Sequence, residues 1–156
     1  MRIDQLMRKP AVTCRSSDSL NVAAQRMWEN DCGVLPVVDD KEVLVGIVTD
    51  RDICMAAYTQ GLPLSLMPVS TAMAGTVFSC RPGDPLESAE ELMAERQVRR
   101  LPVVDSDKHV LGVLSVNDIA RWLSASQISG EKDEALRTVA AICHPRVEPR
   151  RIGSAS

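Results

Sequence analysis

The sequence predicts an α/β (α+β) fold built from two β-α-β-β-α repeats, and two observations support this prediction. Residues 7–57 align without gaps on residues 73–123 at a constant offset of 66, and 16 of the 51 aligned pairs are identical. Chance would give about three identities, because a random pair of residues matches roughly one time in sixteen. Within each copy, short β-branched runs alternate with stretches in which apolar residues recur at helical spacing. Repeats of this size are marginal alone, so we expect them to share a core.

Each repeat begins with a predicted short strand, a polar turn and a helix. The strands are expected at residues 11–14 and 76–80, which are rich in β-formers. The helices are predicted by apolar stripes at Leu20, Ala23, Ala24 and Met27 and at Leu86, Ala89 and Met93. Ser19 is the expected N-cap of the first helix, and Asp84 or Pro85 supplies the start signal of the second.

A buried β-hairpin and a closing helix complete each repeat. Apolar runs at 34–38 and 101–104 are followed after a short acidic connection by a second strand, which predicts an antiparallel pair. Pro36 and Pro102 are expected as first strand residues, where a missing N–H does least harm. The closing helices carry apolar stripes at Ile53, Ala56 and Ala57 and at Ile119, Trp122 and Leu123.

These patterns divide the chain into five parts. Repeat one is assigned to residues 7–60 and repeat two to residues 73–125, joined by a linker at 61–72 that is too apolar to be disordered. A C-terminal helix is expected at 129–144 and a flexible tail at 145–156. The apolar face of that helix would be formed by Leu136, Val139, Ala140 and Cys143.

Composition narrows the functional classes. The net charge of −3 lacks the basic excess that favours nucleic-acid binding, although Arg146, Arg150 and Arg151 keep that alternative open. Neither a signal-peptide core nor a membrane-spanning run is present, so we expect a cytoplasmic protein without a membrane partner. The five cysteines form no C-x-x-C pair, and no metal site is expected. Cys14 and Cys80 are interpreted as buried hydrophobes.

The most informative motif lies where the hairpin becomes the closing helix. Thr49 and Asp52 in repeat one, and Ser115 and Asp118 in repeat two, form a hydroxyl-x-x-Asp pattern. One interpretation is a capping box that only starts the helix. The other is a nucleotide cradle, because a helix N-terminus suits a phosphate and a carboxylate can accept both hydroxyls of a ribose. The two interpretations are compatible.

Each repeat contains an apolar-Pro-Val-Val-Asp run, which is followed later by Gly, two apolar residues, Ser or Thr, two variable residues and Asp-Ile. This duplicated pattern resembles the cystathionine-β-synthase (CBS) domain. The tandem copy resembles a Bateman module and covers residues 3–124. The resemblance implies that the two repeats pack through their sheets about a pseudo-twofold axis. It also implies two clefts for adenosyl ligands.

The resemblance assigns roles to specific positions. It places the ribose-binding aspartate at Asp52 and Asp118 and the hydroxyl residue at Thr49 and Ser115. The residue before the aspartate, which often faces phosphate in this family, is Arg51 in repeat one and Asn117 in repeat two. Apolar adenine contacts are expected from Val12, Pro36, Val77 and Pro102. Arg99 and Arg100 replace Gly33 and Val34 of repeat one, so we expect unequal sites. These arginines either join Arg51 around a polyphosphate or form a solvated strand entry that pairs with Glu95 or Asp105.

The predicted function is therefore sensing of AMP, ADP or ATP, with NAD or S-adenosylmethionine as further options and magnesium as a companion of a polyphosphate. No cofactor is obligatory. His109 and His144 have no partner in a catalytic motif, so no enzyme activity is expected. Occupancy would be signalled through conformation to an unidentified regulated protein, and we expect a homodimer with the C-terminal helix as a candidate contact. The alternative is an interaction scaffold of the same fold that needs no ligand.

Overall fold

The computed structural model describes residues 1–125, 137 and 139–143, and it confirms the predicted fold class. Repeat one contains β1 (Cys14–Arg15), α1 (Leu20–Glu29), β2 (Val34–Val38), β3 (Leu44–Thr49) and α2 (Asp50–Gln60). Repeat two contains α3 (Leu86–Arg96), β4 (Arg100–Val104), β5 (Val110–Ser115) and α4 (Val116–Ala125). No helix among the described residues is long and apolar enough to cross a membrane.

The first strand differs between the repeats. In repeat one, β1 lies parallel to β2, which pairs antiparallel with β3, so the sheet order is β1-β2-β3. In repeat two, the strand predicted at 76–80 is reduced to one parallel bridge between Cys80 and Val103, beside the β4-β5 hairpin. Pro82 follows one residue after Arg81 and has no N–H with which to extend that ladder, whereas Ser16 occupies the equivalent position in repeat one.

The duplication extends to backbone irregularities. Both hairpins have a register shift at the same place, between Val37 and Val38 and between Val103 and Val104. The four non-glycine residues with positive φ among those described are two pairs at the 66-residue offset, Asp31 with Gln97 and Glu42 with Lys108. A positive φ is costly for most side chains, so its repetition shows that each turn is imposed by the same hairpin and helix geometry.

The expected position of the strand prolines is wrong, since Pro36 and Pro102 are third residues of β2 and β4. The structure shows why this is tolerated. Ile47, which faces Pro36, directs both its N–H and its C=O to Ala74, at 3.0 and 2.8 Å. The facing pair therefore exchanges no backbone hydrogen bond, and the missing proline N–H costs no bond with β3.

The helix starts resolve the alternatives left by the sequence. Ser19 caps α1, and its side chain accepts the N–H of Val22. The N-cap of α3 is Pro85, without a side-chain cap. Asp84 instead accepts the N–H of Arg81 at 2.8 Å and holds the preceding turn.

The N-terminal segment packs on repeat two rather than on repeat one. Ile3 donates its N–H to the Asp84 carbonyl at 3.1 Å, and Leu86 donates to the Met1 carbonyl at 2.9 Å. The Ile3 side chain is fully buried in the core of repeat two. Residues 1–8 therefore complete the second core.

The linker packs on repeat one in the corresponding way. Leu20 donates to the Met67 carbonyl and Val69 donates to the Asp18 carbonyl, both at 2.7 Å. Met67 and Val69 are buried in the core of repeat one. Each core is thus completed by the segment that precedes the other repeat, which ties the two repeats together.

Two glycines permit this close packing. A Cβ on Gly112 would lie 2.7 Å from the Arg8 carbonyl oxygen, and a Cβ on Gly46 would lie 2.8 Å from the Met73 sulfur and 3.2 Å from the Ala74 carbonyl oxygen. All three distances are shorter than ordinary van der Waals contact. The absence of a side chain at these positions therefore lets the crossing segments lie directly against β5 and β3.

The described end of the C-terminal helix also packs on repeat two. Ile142 is 1% exposed and lies in that core, with Val139 against it. Ala140 and Cys143, which were also expected on the apolar face, are exposed in the single chain. Leu136, most of 129–144 and all of 145–156 lie outside the described residues.

Candidate functional site at the strand-to-helix junctions

The junction of β3 and α2 forms the predicted capping box. The Thr49 hydroxyl donates to Asp52 Oδ2 at 2.6 Å and accepts the Asp52 N–H at 3.2 Å. The Thr49 N–H donates to the same carboxylate oxygen at 2.9 Å. Asp52, on the first turn of α2, is partly exposed.

The junction of β5 and α4 has the same capping pattern with one addition. Ser115 donates its N–H at 2.9 Å, and also its hydroxyl, to Asp118 Oδ2. The Arg121 guanidinium donates to Asp118 Oδ1 from one turn further along α4. Asp118 is only 3% exposed and is the one buried charged side chain in the described part of the chain. Sequence reasoning missed Arg121, although its i, i+3 spacing from Asp118 is a recognisable signal for a helical ion pair.

The fold brings the two junctions together. Arg100 is the strand partner of Ser115, so it starts at the junction of repeat two. A Cβ on Gly33 would lie 3.2 Å from an Arg100 guanidinium nitrogen and 2.7 Å from Asp50 Oδ2, at the junction of repeat one. Arg100 therefore crosses from one repeat to the other. Gly33 leaves space for the Arg100 guanidinium. Because the Asp50 carboxylate lies near the same glycine, a positive and a negative charge are both present at this point.

The other predicted phosphate-facing residues are near these junctions but less defined. Arg51 and Asn117 are exposed on the first turns of α2 and α4. Arg99 is exposed, and its carbonyl accepts the N–H of Val116 at 3.0 Å. A cluster of Arg51, Arg99 and Arg100 around one phosphate group stays a prediction.

The ion pairs expected for a solvated strand entry are not seen within the described residues, although Arg99 is exposed. Glu95, one suggested partner of the arginines, lies 3.3 Å from Arg96. Asp105, the other, lies 3.2 Å from His109. Arg99 and Arg100 form no ion pair with either carboxylate in the part of the chain described here.

The predicted apolar contacts lie in or beside the cores. Pro36 and Pro102 are buried in β2 and β4, and Val12 packs partly buried against the core of repeat one. Val77 is partly buried in the segment before Cys80. Arg146, Arg150 and Arg151, the basis of the nucleic-acid alternative, and His144 fall outside the described residues.

Two cavities lie at the opposite end of the sheets, where β2 and β4 finish. They have volumes of about 300 and 420 Å³ and include Cys14 and Cys80 in their walls. Burial raises the pKa of each thiol to about 12, so both thiols stay protonated at neutral pH. This agrees with their interpretation as small buried hydrophobes. In repeat one, Arg15 lines the cavity and bonds to Asp40 at 2.6 Å and Glu42 at 2.9 Å.

Among the described residues, one group of side chains is close enough to share a metal ion. The ligand atoms of Asp105, Asp107 and His109 lie within 4.8 Å of one another. Asp105 Oδ1 already accepts the N–H groups of Asp107 and His109, at 2.9 and 2.8 Å, and these bonds help lower the pKa of that carboxyl. Asp39 makes the same two backbone bonds in repeat one, so this arrangement is a structural feature of both hairpin turns.

Comparisons with known proteins agree with this architecture. The CBS domain family model matches residues 3–58 and 69–125. The CBS domain-containing protein YhcV of Bacillus subtilis is 34% identical over 129 residues, which cover 83% of this chain and 87% of that protein. Homoserine O-acetyltransferase of Methanohalobium evestigatum is 31% identical over 121 residues, 78% of this chain but only 24% of that enzyme.

A solved structure shows the same fold in a ligand complex. The CBS domain pair of protein MJ0100, in complex with 5′-methylthioadenosine and S-adenosyl-L-methionine, matches with a TM-score of 0.74 and 26% identity over 80% of this chain and 96% of that one. The CBS domain model matches both repeats, and each repeat contains the same strand-to-helix junction. This chain therefore belongs to the CBS domain family and forms a CBS domain pair.

Proposed function

We propose that this CBS pair binds an adenosyl ligand at the junctions of its two repeats and signals occupancy through a change in their relative orientation. The observation that carries the proposal is the meeting of the junctions at Arg100, Gly33 and Asp50. A ligand bound there would contact both repeats. Because it would bind one relative orientation better than others, it would stabilise that orientation in proportion to its differential affinity.

The chemistry of the first junction suits a nucleotide. The Asp52 carboxylate can accept ribose hydroxyls, and the N-terminus of α2 favours a phosphate through its N–H groups and dipole. Arg51 and Arg100 would add cationic forks that match phosphate oxygens. AMP, ADP and ATP are the preferred ligands, with NAD and S-adenosylmethionine as alternatives and magnesium accompanying a polyphosphate. The complex of the MJ0100 CBS pair with adenosyl compounds supports this ligand class.

The output of the module is proposed to be a protein contact and not catalysis. Repeat one and the linker expose several large apolar side chains, including Trp28 at 88% and Tyr58 at 81% near the ends of α1 and α2 and Leu66 at 70% in the linker. Exposed aromatic and aliphatic groups of this size favour a protein interface. We assign them to a homodimer or to a regulated partner in the cytoplasm.

A thermal-shift panel tests the proposal. AMP, ADP, ATP, NAD and S-adenosylmethionine are added in turn to the wild type and to Asp52→Asn, which keeps a side-chain acceptor for the cap but removes the charge. A ligand at a hundredfold excess over its Kd should stabilise the wild type by about 2.7 kcal/mol. For a chain of this length that is a rise in Tm of roughly 5–10 °C. Asp107→Ala, an exposed turn variant away from the junctions, is the matched control.

The complete capping boxes favour one second candidate, the scaffold that needs no ligand. In that case Asp52→Ala lowers Tm through loss of the cap, and no adenosyl compound shifts Tm for any variant. A shift in the wild type that Asp52→Asn reduces, and Asp107→Ala preserves, supports ligand sensing. The absence of any shift across the panel rejects it.

A further inference from the structure

The two cavities at the ends of β2 and β4 occupy equivalent places in the repeats, but their charged walls differ. In repeat one, Arg15 bonds to the carboxylates of Asp40 and Glu42. The other arginine in the wall of that cavity, Arg26, bonds to Asp18 Oδ2 at 2.9 Å. Both cations of the cavity in repeat one are therefore paired with carboxylates of the same repeat.

The cavity of repeat two has lost the carboxylates that pair with Arg15. Arg81 is the residue 66 positions after Arg15, and at that offset the two acids are replaced by Ser106 and Lys108. Arg81, Ser106 and Lys108 all line a cavity of about 420 Å³. Arg81 and Lys108 are exposed, and neither forms an ion pair with a carboxylate in the described part of the chain. Two positive charges thus share one cavity in place of the salt bridges of repeat one.

Two carboxylates also line this cavity, and both already accept backbone hydrogen bonds. Asp84 Oδ2 accepts the N–H of Arg81 at 2.8 Å. Asp105 Oδ1 accepts two N–H groups of its own hairpin turn, at 2.9 and 2.8 Å. The Cys80 thiol adds no charge at neutral pH, because burial raises its pKa to about 12. The cavity therefore combines two cations that can bind an anion with carboxylates that can accept hydroxyl groups.

We propose that this cavity is a second ligand site, separate from the junctions, and that it binds a small phosphorylated polyol such as a sugar phosphate. Arg81 and Lys108 bind the phosphate, because a guanidinium fork and an ammonium group both bond to phosphate oxygens. Hydroxyl groups of the polyol donate to Asp84 and Asp105, and the Ser106 hydroxyl offers a further partner. The site uses no residue of the proposed adenosyl site.

An NMR titration with ribose 5-phosphate locates and measures this site, with ribose and inorganic phosphate as component probes. Amide shift changes are expected at residues 79–81 and 105–108. The Kd for ribose 5-phosphate is expected to be lower than the Kd for either component, because phosphate and hydroxyl groups then bind together.

Charge variants test the two cations. Lys108→Glu, which installs the repeat-one residue, should weaken binding by about tenfold or more, because it removes a charge-assisted bond and places a carboxylate near Arg81. The turn accepts a glutamate, since Lys108 has a φ of 66° and Glu42 a φ of 62°. Arg81→Gln should weaken binding similarly, and the backbone N–H of that residue can still bond to Asp84. Lys41→Glu, on the exposed turn of repeat one, makes the same change in net charge as Lys108→Glu and should alter Kd by less than about twofold.

Thermal unfolding verifies that each variant is folded. Weaker binding in Lys108→Glu and Arg81→Gln, with Lys41→Glu unaffected, supports the site. Shift changes confined to the junctions at 49–52 and 115–118, equal weakening by Lys108→Glu and Lys41→Glu, or no saturable binding at millimolar ribose 5-phosphate rejects it. Equal Kd values for inorganic phosphate and ribose 5-phosphate would reject the polyol as the ligand class. None of these outcomes depends on adenosyl binding at the junctions, which the thermal-shift panel measures separately.

Discussion

Replacement of Gly112 by alanine tests how the N-terminal segment is held against repeat two. The added Cβ would lie 2.7 Å from the Arg8 carbonyl oxygen and 2.8 Å from the Met7 sulfur. The sulfur can move with its side chain, but the carbonyl belongs to a backbone that is paired in both directions with Val113 at 3.0 Å. The alanine must therefore push residues 7–8 away from β5.

The expected change in the free energy of unfolding of Gly112→Ala is the sum of two opposing effects. Overpacking at a contact that cannot relax costs about 1–3 kcal/mol. The lower conformational freedom of alanine in the unfolded chain stabilises the folded state by about 0.4–1 kcal/mol. The expected loss in the free energy of unfolding is thus about 1–2 kcal/mol, or a fall in Tm of roughly 2–8 °C for a chain of this length.

Urea unfolding and thermal melting measure this loss, with two matched glycine variants. Gly46→Ala should lose less, because its closest contact is the movable Met73 sulfur and the Ala74 carbonyl oxygen is 3.2 Å away. Gly83→Ala meets nothing within 4 Å and should be neutral or slightly stabilised. Hydrogen exchange at the Val113 amide should accelerate in Gly112→Ala. Equal stabilities of Gly112→Ala and Gly83→Ala would refute the proposed close approach.

Three further predictions concern burial. Ile3→Ala should lower the free energy of unfolding by about 2–5 kcal/mol in a denaturant titration, because Ile3 is 0% exposed. The control Leu66→Ala, at a position that is 70% exposed, should change the free energy of unfolding by less than about 0.5 kcal/mol. Similar losses in the two variants would contradict the docking of the N-terminal segment on repeat two. Native alkylation at pH 8 followed by mass spectrometry should modify the exposed Cys54 and spare Cys14 and Cys80, whose pKa values are raised to about 12 by burial. Because a raised thiol pKa means that the folded state holds its proton more tightly, the associated stability is present below about pH 9 and is lost as pH rises towards 12. An alkaline melting series measures that loss, and a Tm unchanged between pH 9 and 11 would contradict it.

The sequence by itself determined the repeat, the order of elements and the local chemistry of each junction. These features depend on short-range patterns, namely apolar spacing, β-branched runs and the hydroxyl-x-x-Asp cap, which act within a few residues. Thr49 with Asp52, and Ser115 with Asp118, therefore adopt the bonds that their spacing predicts. The site roles of these residues remain predictions that ligand binding must test.

Only the tertiary structure decided which segment completes which core and how the two junctions differ. The placement of Ile3 in repeat two depends on contacts between residues more than 80 positions apart, for which periodicity carries no signal. Arg100 reaches Gly33 for the same reason, since the repeats meet there only after folding. Even the nearby Arg121 had two possible environments, solvent or Asp118. Burial of the carboxylate selects the ion pair, because an unpaired charge in that position would be costly.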